Sequence, residues 1–256
     1  YDIAGAYEMA RLGGQTGRLR IGSRLHAGDF LSADFDLGRT DTLRLNAQAV
    51  EAAGGALGGS LGFDPRQPFA LNARISGEIS KGHFDVDTRL GATQPLKASG
   101  AWTPQGGTAS GVAILSASTL TAPYGARFGE VARFDISGAK ANGGFFDLRA
   151  KIEGDNLSLT ARGLGDIGDK QLGPGGLVLD ATVPAMSRIL TAPAIGRATA
   201  HAVLTGKASD WSLDGTATAD RFALAGYTLA RVSGPARLGM KNGEFSIKAD
   251  LTGQGG

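Results

Sequence analysis

Lys241-Asn242-Gly243-Glu244-Phe245-Ser246-Ile247-Lys248-Ala249-Asp250-Leu251-Thr252-Gly253 is the stretch on which the reading of the fold turns. It opens on Asn-Gly, the pair favoured where a two-residue hairpin needs positive φ at both positions. After the turn it alternates strictly. Phe245, Ile247, Ala249 and Leu251 fall on one side, and Glu244, Ser246, Lys248 and Asp250 on the other. That period of two predicts a β-strand with one apolar face and one wet face. Two further stretches repeat the pattern. Residues 82–90 place Phe84, Val86 and Leu90 on the apolar beat, and residues 144–152 place Phe146, Leu148 and Ile152 there. All three read Gly-x-Phe-x-aliphatic-x-small-x-aliphatic, with charged residues in between.

The same alternation extends outward from these repeats. Leu43, Leu45, Ala47 and Ala49 alternate with polar residues, and so do Phe69, Leu71, Ala73 and Ile75. Residues 154–155 turn the second repeat into Leu157, Leu159 and Ala161, a hairpin candidate. Leu177, Leu179, Ala181 and Val183 follow Gly173-Pro174-Gly175-Gly176, which reads as a break. Trp211, Leu213, Ala217 and Ala219 lead into Phe222 and Leu224, then Tyr227–Val232 and Arg237–Met240. Two stretches read as short helices: residues 2–12, where Ile3, Tyr7 and Ala10 share a helical face, and residues 184–190, with Pro184 at the first position. The expectation is an all-β, mostly antiparallel chain of roughly fifteen to eighteen short strands with at most two short helices.

Composition narrows the function classes. The 256 residues can bury a core, and 41 glycines spread over turn positions carry no Gly-x-y period. A net charge of +2 gives no argument for nucleic acid, and the absence of cysteine excludes thiolate chemistry and disulfides. No apolar run approaches the roughly eighteen residues of a membrane span. The chain starts at Tyr1 and stops at Gly256 inside strand-and-turn pattern, which reads as a piece of a longer protein.

Two literal motif matches read as turns. Gly163-Leu164-Gly165-Asp166-Ile167-Gly168 spells a dinucleotide fingerprint, but Gly173-Pro174 leaves no room for the helix that must follow it. Gly58-Gly59-Ser60-Leu61-Gly62 spells a nucleophile elbow, but Pro65 and Pro68 stand where its helix belongs. His26, His83 and His201 are scattered on or beside polar beats, so neither a catalytic group nor a metal or cofactor site is expected.

A sheet with one apolar face must cover it. Helices are scarce, so the cover is a second sheet, the sheet itself, or something outside the chain. The many alanines on the apolar beat fit an open furrow that admits an acyl chain better than a tightly packed core.

Val183-Pro184-Ala185-Met186-Ser187-Arg188 through Ala194-Ile195-Gly196, Ala202–Gly206, Asp210–Gly215, Leu224–Leu229 and the strand from Asn242 to Gly253 together resemble the AsmA-like superfamily, and within it the TamB branch (the inner-membrane subunit of the translocation and assembly module). The resemblance covers most of the chain and is clearest from Leu177 onward. It implies a long curled sheet with a hydrophobic groove, the β-taco. It also implies a periplasmic location, with an inner-membrane anchor outside this stretch, in a Gram-negative bacterium. Phospholipids are the implied cargo and an outer-membrane barrel subunit the implied partner, with a link to outer-membrane protein assembly. On this reading the groove is lined by the apolar beats: Leu71, Ile75, Phe84, Val86, Leu90, Phe146, Leu148, Ile152, Leu157, Leu159, Leu177, Leu179, Trp211, Leu213, Phe222, Leu224, Phe245, Ile247, Ala249 and Leu251. The alternative is a structural or adhesive β-helix or β-sandwich module with a closed core. A membrane barrel would need aromatic girdles at its strand ends, which the two Trp, four Tyr and eleven Phe do not form.

Overall fold

The computed structural model describes residues 2–9, 14–24, 26, 28–38, 41–166, 168–189, 196–224 and 227–255. Its contacts fall into two units, Tyr1–Gly125 and Ala126–Gly256. The first holds β1 (Asp2–Met9), β2 (Gln15–Gly22), β3 (Phe30–Leu37), β4 (Thr42–Glu51), β5 (Phe69–Glu78), β6 (Gly82–Leu90), β7 (Leu96–Thr103) and β8 (Gly106–Ile114). Each strand pairs antiparallel with the next. Among the described residues no pairing returns from β8 to β1, so the meander stays open.

The second unit continues with β9 (Val131–Lys140), β10 (Phe146–Gly154), β11 (Ser158–Asp166), β12 (Gln171–Val183), β13 (Ala198–Lys207), β14 (Asp210–Leu224), β15 (Tyr227–Lys241), β16 (Glu244–Ala249) and β17 (Thr252–Gly255). From β10 through β16 each strand pairs antiparallel with its predecessor. β17 lies beside β16 on the same partner, pairing with the early part of β15. The protein is all-β and antiparallel, which excludes the parallel β-helix alternative. Asn242 and Gly243 sit at φ 53° and 81°, as the Asn-Gly hairpin requires.

Neither expected helix forms as such. Residues Asp2–Met9 are β1, paired along its whole length with β2; residues 10–12 lie outside the described residues. Ile3, Gly5, Tyr7 and Met9 also alternate with Asp2, Ala4, Ala6 and Glu8, and eight cross-strand pairs outweigh a helix too short to sustain itself. Of residues 184–190 only Met186–Arg188 turns helically, as one 3-10 turn, and Leu190 lies outside the described residues. Helical turns form elsewhere instead, as α1 (Ala56–Ser60) and α2 (Ala122–Phe128).

Strand lengths also depart from expectation. β12 runs through Gly173–Gly176, with an irregularity in register between Gln171 and Leu177 and with Gly175 and Gly176 at φ 88° and 70°. The glycines absorb the irregularity, so the ladder bulges and resumes. Trp211–Leu224 is a single strand, as is Tyr227–Lys241, whereas the strand beginning at Glu244 stops at Ala249 and resumes at Thr252. β7 and the start of β8 fall in a region of weak periodicity, because Gly100, Gly107 and Gly111 occupy the apolar beat there.

Burial is sparse. Among the described residues the buried apolar side chains are Ala49, Phe69, Leu90, Met186 and Val232. A closed sandwich of this length would bury far more, since a core residue normally touches neighbours on every side. In the first unit Ala49, Phe69 and Leu90 gather at one end of the strands. The amides of Leu57 and Gly58 at the start of α1 donate to Glu51 Oε1 and Oε2 at 2.9 and 2.7 Å. Phe63 stacks on Phe69 with ring centroids 5.2 Å apart, and Ser118 Oγ donates to the Leu61 carbonyl at 2.7 Å. The loops of that end fold over the sheet.

Candidate functional site: an open apolar face in each unit

The apolar beats of successive strands meet in register. In the first unit Phe35 pairs with Leu45, Leu45 with Ile75, Ile75 with Phe84 and Phe84 with Gly100. One step along, Ala33 meets Ala47, Ala47 meets Ala73, Ala73 meets Val86 and Val86 meets Ala98. In the second unit Phe134 pairs with Ile152, Ile152 with Leu159, Leu159 with Ala181 and Ala181 with Ala200. Leu177 meets Leu204, Leu204 meets Leu213, Leu213 meets Leu238 and Leu238 meets Ile247. Because side chains alternate with period two, these pairs put every such residue of a unit on one face.

The opposite face is wet. There Arg18 donates from Nε to Asp34 Oδ1 at 2.6 Å, Lys151 lies 2.8 Å from Glu153, and His201 Nδ1 lies 2.6 Å from Asp180 Oδ1. Arg237 pairs with Asp214, whose carboxyl is held below the usual range first by the Ser212 hydroxyl and then by that guanidinium. At the loop between α1 and β5, Arg66 and its own amide hold Asp64 at a pKa of about 2. These pairs are exposed and mainly keep one face in water.

Bulky side chains on the apolar face lie across glycines of the neighbouring strand. The space a Cβ would take on Gly17 is filled by the Phe35 ring, and that on Gly100 by Phe84. Trp102 lies over Gly82 and Leu148 over Gly165 in the same way. The large residues therefore lie low, and the alanines in the rows between them, such as Ala33, Ala47 and Ala73, are half-buried.

In the second unit this face deepens into a recess of about 490 Å3. Leu148, Leu172, Leu179, Leu204, Leu213 and Trp211 line it, with Asp166, Lys170 and Lys207 also in its lining. Residues of the hairpins that join β11 to β12 and β13 to β14 border it. Trp211 stands between this recess and Phe245, with ring centroids 6.3 Å apart. Phe245, Ile247 and Leu251 are 56%, 66% and 51% exposed, so the apolar surface continues uncovered over β16 and beyond.

Register places Leu71, Ile75, Phe84, Val86 and Leu90 together on the face of the first unit, with Leu90 under the loops at its covered end. Phe146, Leu148, Ile152, Leu159, Leu177, Leu179, Trp211, Leu213, Phe245, Ile247 and Ala249 share the face of the second. Leu157 precedes β11 and Leu251 falls in the break between β16 and β17. Phe222 is out of phase with Trp211–Ala219, and the change of phase coincides with Arg221 at φ 50°. Leu224 lies in β14, and its side chain is outside the described residues. The reading of the sequence missed Leu172 and Leu204 as lining residues. Leu204 sits on the beat of Ala200 and Ala202 and could have been found; Leu172 reaches the face only through the bulge in β12.

Ser60 ends the short α1 and donates to the Leu57 carbonyl at 2.7 Å, so no strand-to-helix elbow presents it. The GxGxxG match occupies the end of β11 and its hairpin. Among the described residues no three His, Cys, Asp or Glu side chains gather to hold a metal ion, and no helix is long and apolar enough to cross a membrane. Compared with protein-family models, curated proteins and solved structures, the chain matches none.

Proposed function

We propose that the apolar face of each unit shelters the acyl chains of phospholipids while the head groups stay in water. On this reading the chain is a stretch of an AsmA-like, TamB-type protein. It moves phospholipid across the periplasm of a Gram-negative bacterium, between inner and outer membranes, with its inner-membrane anchor and any contact to an outer-membrane barrel subunit in regions outside these residues. A role in outer-membrane protein assembly would follow from that contact. The observation that carries the reading is an apolar face held in register from strand to strand and left without a cover.

The energetics favour such a surface for moving lipid. Each methylene kept from water is worth about 0.8 kcal/mol, so a two-chain lipid needs continuous cover. Strands about 4.8 Å apart provide repeating contacts of similar strength, over which a chain slides without falling into one deep trap. Low-lying aromatics and alanine rows suit an occupant without a fixed shape.

Organic extraction of protein purified from a Gram-negative host is expected to yield phospholipid. Ala200→Asp and Ala249→Asp, on the apolar face, are expected to lower the yield severalfold, because a charge there is poorly solvated against hydrocarbon. Thr199→Asp, on the wet face, is expected to leave it unchanged. Equal loss from both faces, or no lipid in any preparation, overturns the proposal.

A further inference from the structure

We propose that residues 54–62, with α1 at their centre, form a hinged lid that competes with acyl chains for one end of the first unit's apolar face. The inference rests on reading that face as an acyl-chain shelter and adds how access to part of it is controlled. Ala49, Phe69 and Leu90 share the face with Leu45, Ile75 and Phe84 but lie nearer the long connections. The first three are 1%, 2% and 4% exposed, whereas the others are half-buried. The end of the face nearest those connections is therefore covered, and the rest is not.

α1 touches the face through a glycine. Where a Cβ on Gly58 would stand, Phe69 Cβ lies 3.1 Å away, so bare backbone rests on Phe69. A helix of five residues, Ala56-Leu57-Gly58-Gly59-Ser60, does not sustain itself in water. Its hold on the protein is polar instead. Glu51 takes the Leu57 and Gly58 amides, Ser118 Oγ donates to the Leu61 carbonyl, and the Thr119 amide donates to the Gly62 carbonyl at 2.8 Å. Water replaces each of those partners when the segment lifts. The apolar surface of Phe69 has no such substitute unless something apolar takes the place of α1. An acyl chain lying there therefore favours the open lid, and an empty face favours the closed one. Gly54 and Gly62, at φ 95° and 76°, bracket the segment and let the backbone turn at both ends. On its other flank α1 borders a recess of about 190 Å3 shared with Ile21 and Leu31, so it is not packed in on that side.

Hydrogen exchange on the unsubstituted chain tests the competition, with lysophosphatidylcholine below its micellar concentration as the probe and native mass spectrometry to count bound molecules. The Leu57 and Gly58 amides are expected to exchange severalfold faster in the probe-bound protein than in the empty one, the reverse of the protection a ligand gives to what it covers. A disulfide gives an independent reading. The chain has no cysteine, and the place of a Gly58 Cβ beside Phe69 Cβ suits a bridge between Gly58→Cys and Phe69→Cys. This variant is expected to lose bound probe when oxidised, with the lid locked shut, and to regain it on reduction. Unchanged or slower exchange at Leu57 and Gly58 with probe bound, or equal binding before and after reduction, makes the cover a fixed wall; either result overturns the lid and leaves the shelter reading standing. Failure of the unsubstituted chain to bind the probe at all overturns the shelter reading and the lid with it.

Discussion

Phe84 lies where a Cβ on Gly100 would be, and the same relation joins Phe35 to Gly17 and Trp102 to Gly82. An aromatic ring laid across a strand glycine covers the exposed backbone and keeps the surface low. Gly100→Val has to lift the Phe84 ring and also meets the Thr108 carbonyl. It is expected to destabilise the protein by about 1–3 kcal/mol, read as a lower urea midpoint with unchanged slope. Gly165→Ala meets only the end of the Leu148 side chain, and its cost is expected to be smaller. At the wet face, Asp214 provides a pH test. Its folded carboxyl is depressed by Ser212 and then by Arg237, so its stabilising contribution is present above the unfolded carboxylate value and is lost as pH falls through the lower folded one. Ser212→Ala is expected to raise the Asp214 titration midpoint, followed by carboxyl chemical shift; an unchanged midpoint would assign the depression to Arg237 alone.

At the scale of elements, one end of the first unit's strands carries the long connections. α1 is positioned there by a single carboxylate, Glu51, which takes two amides at its start. Glu51→Ala removes that cap and is expected to cost about 0.5–2 kcal/mol and to speed amide exchange at Leu57 and Gly58. Most strands were legible in the residues, because alternation with charged off-beats is an unambiguous signal. The boundaries were less so. Residues 2–12 carry both a helical and a strand pattern, and only the partner strand β2 decides between them. Gly173-Pro174-Gly175-Gly176 looks like punctuation yet sits inside β12, since a bulge held between two ladders uses the same residue types as a turn. β7 and β8 lack a strong pattern because glycines occupy their apolar beat beneath Phe84 and beside Trp102.

Across the whole molecule, what distinguishes this chain from a sandwich of similar composition is where its apolar surface ends up. Each unit presents a face on which rows of large residues and rows of alanines run across the strands, and among the described residues few apolar side chains are buried. Which residues share that face was readable from phase alone, and most of the predicted lining residues do share it. The exceptions are Phe222, which stands on the beat opposite Trp211–Ala219, and Leu157 and Leu251, which fall at the breaks beside β11 and β16. The recess beside Trp211 was not readable, because it depends on the bulge that turns Leu172 inward. The account's central claim is that lipid chains lie on one face only. Photo-crosslinking side chains placed at Phe84, Phe146 and Phe245, and separately at Asp85, Asp147 and Lys248, test it in the living envelope. The account predicts covalent phospholipid adducts from the first three positions and none from the second three; equal labelling of both sets, or adducts from neither, would contradict it.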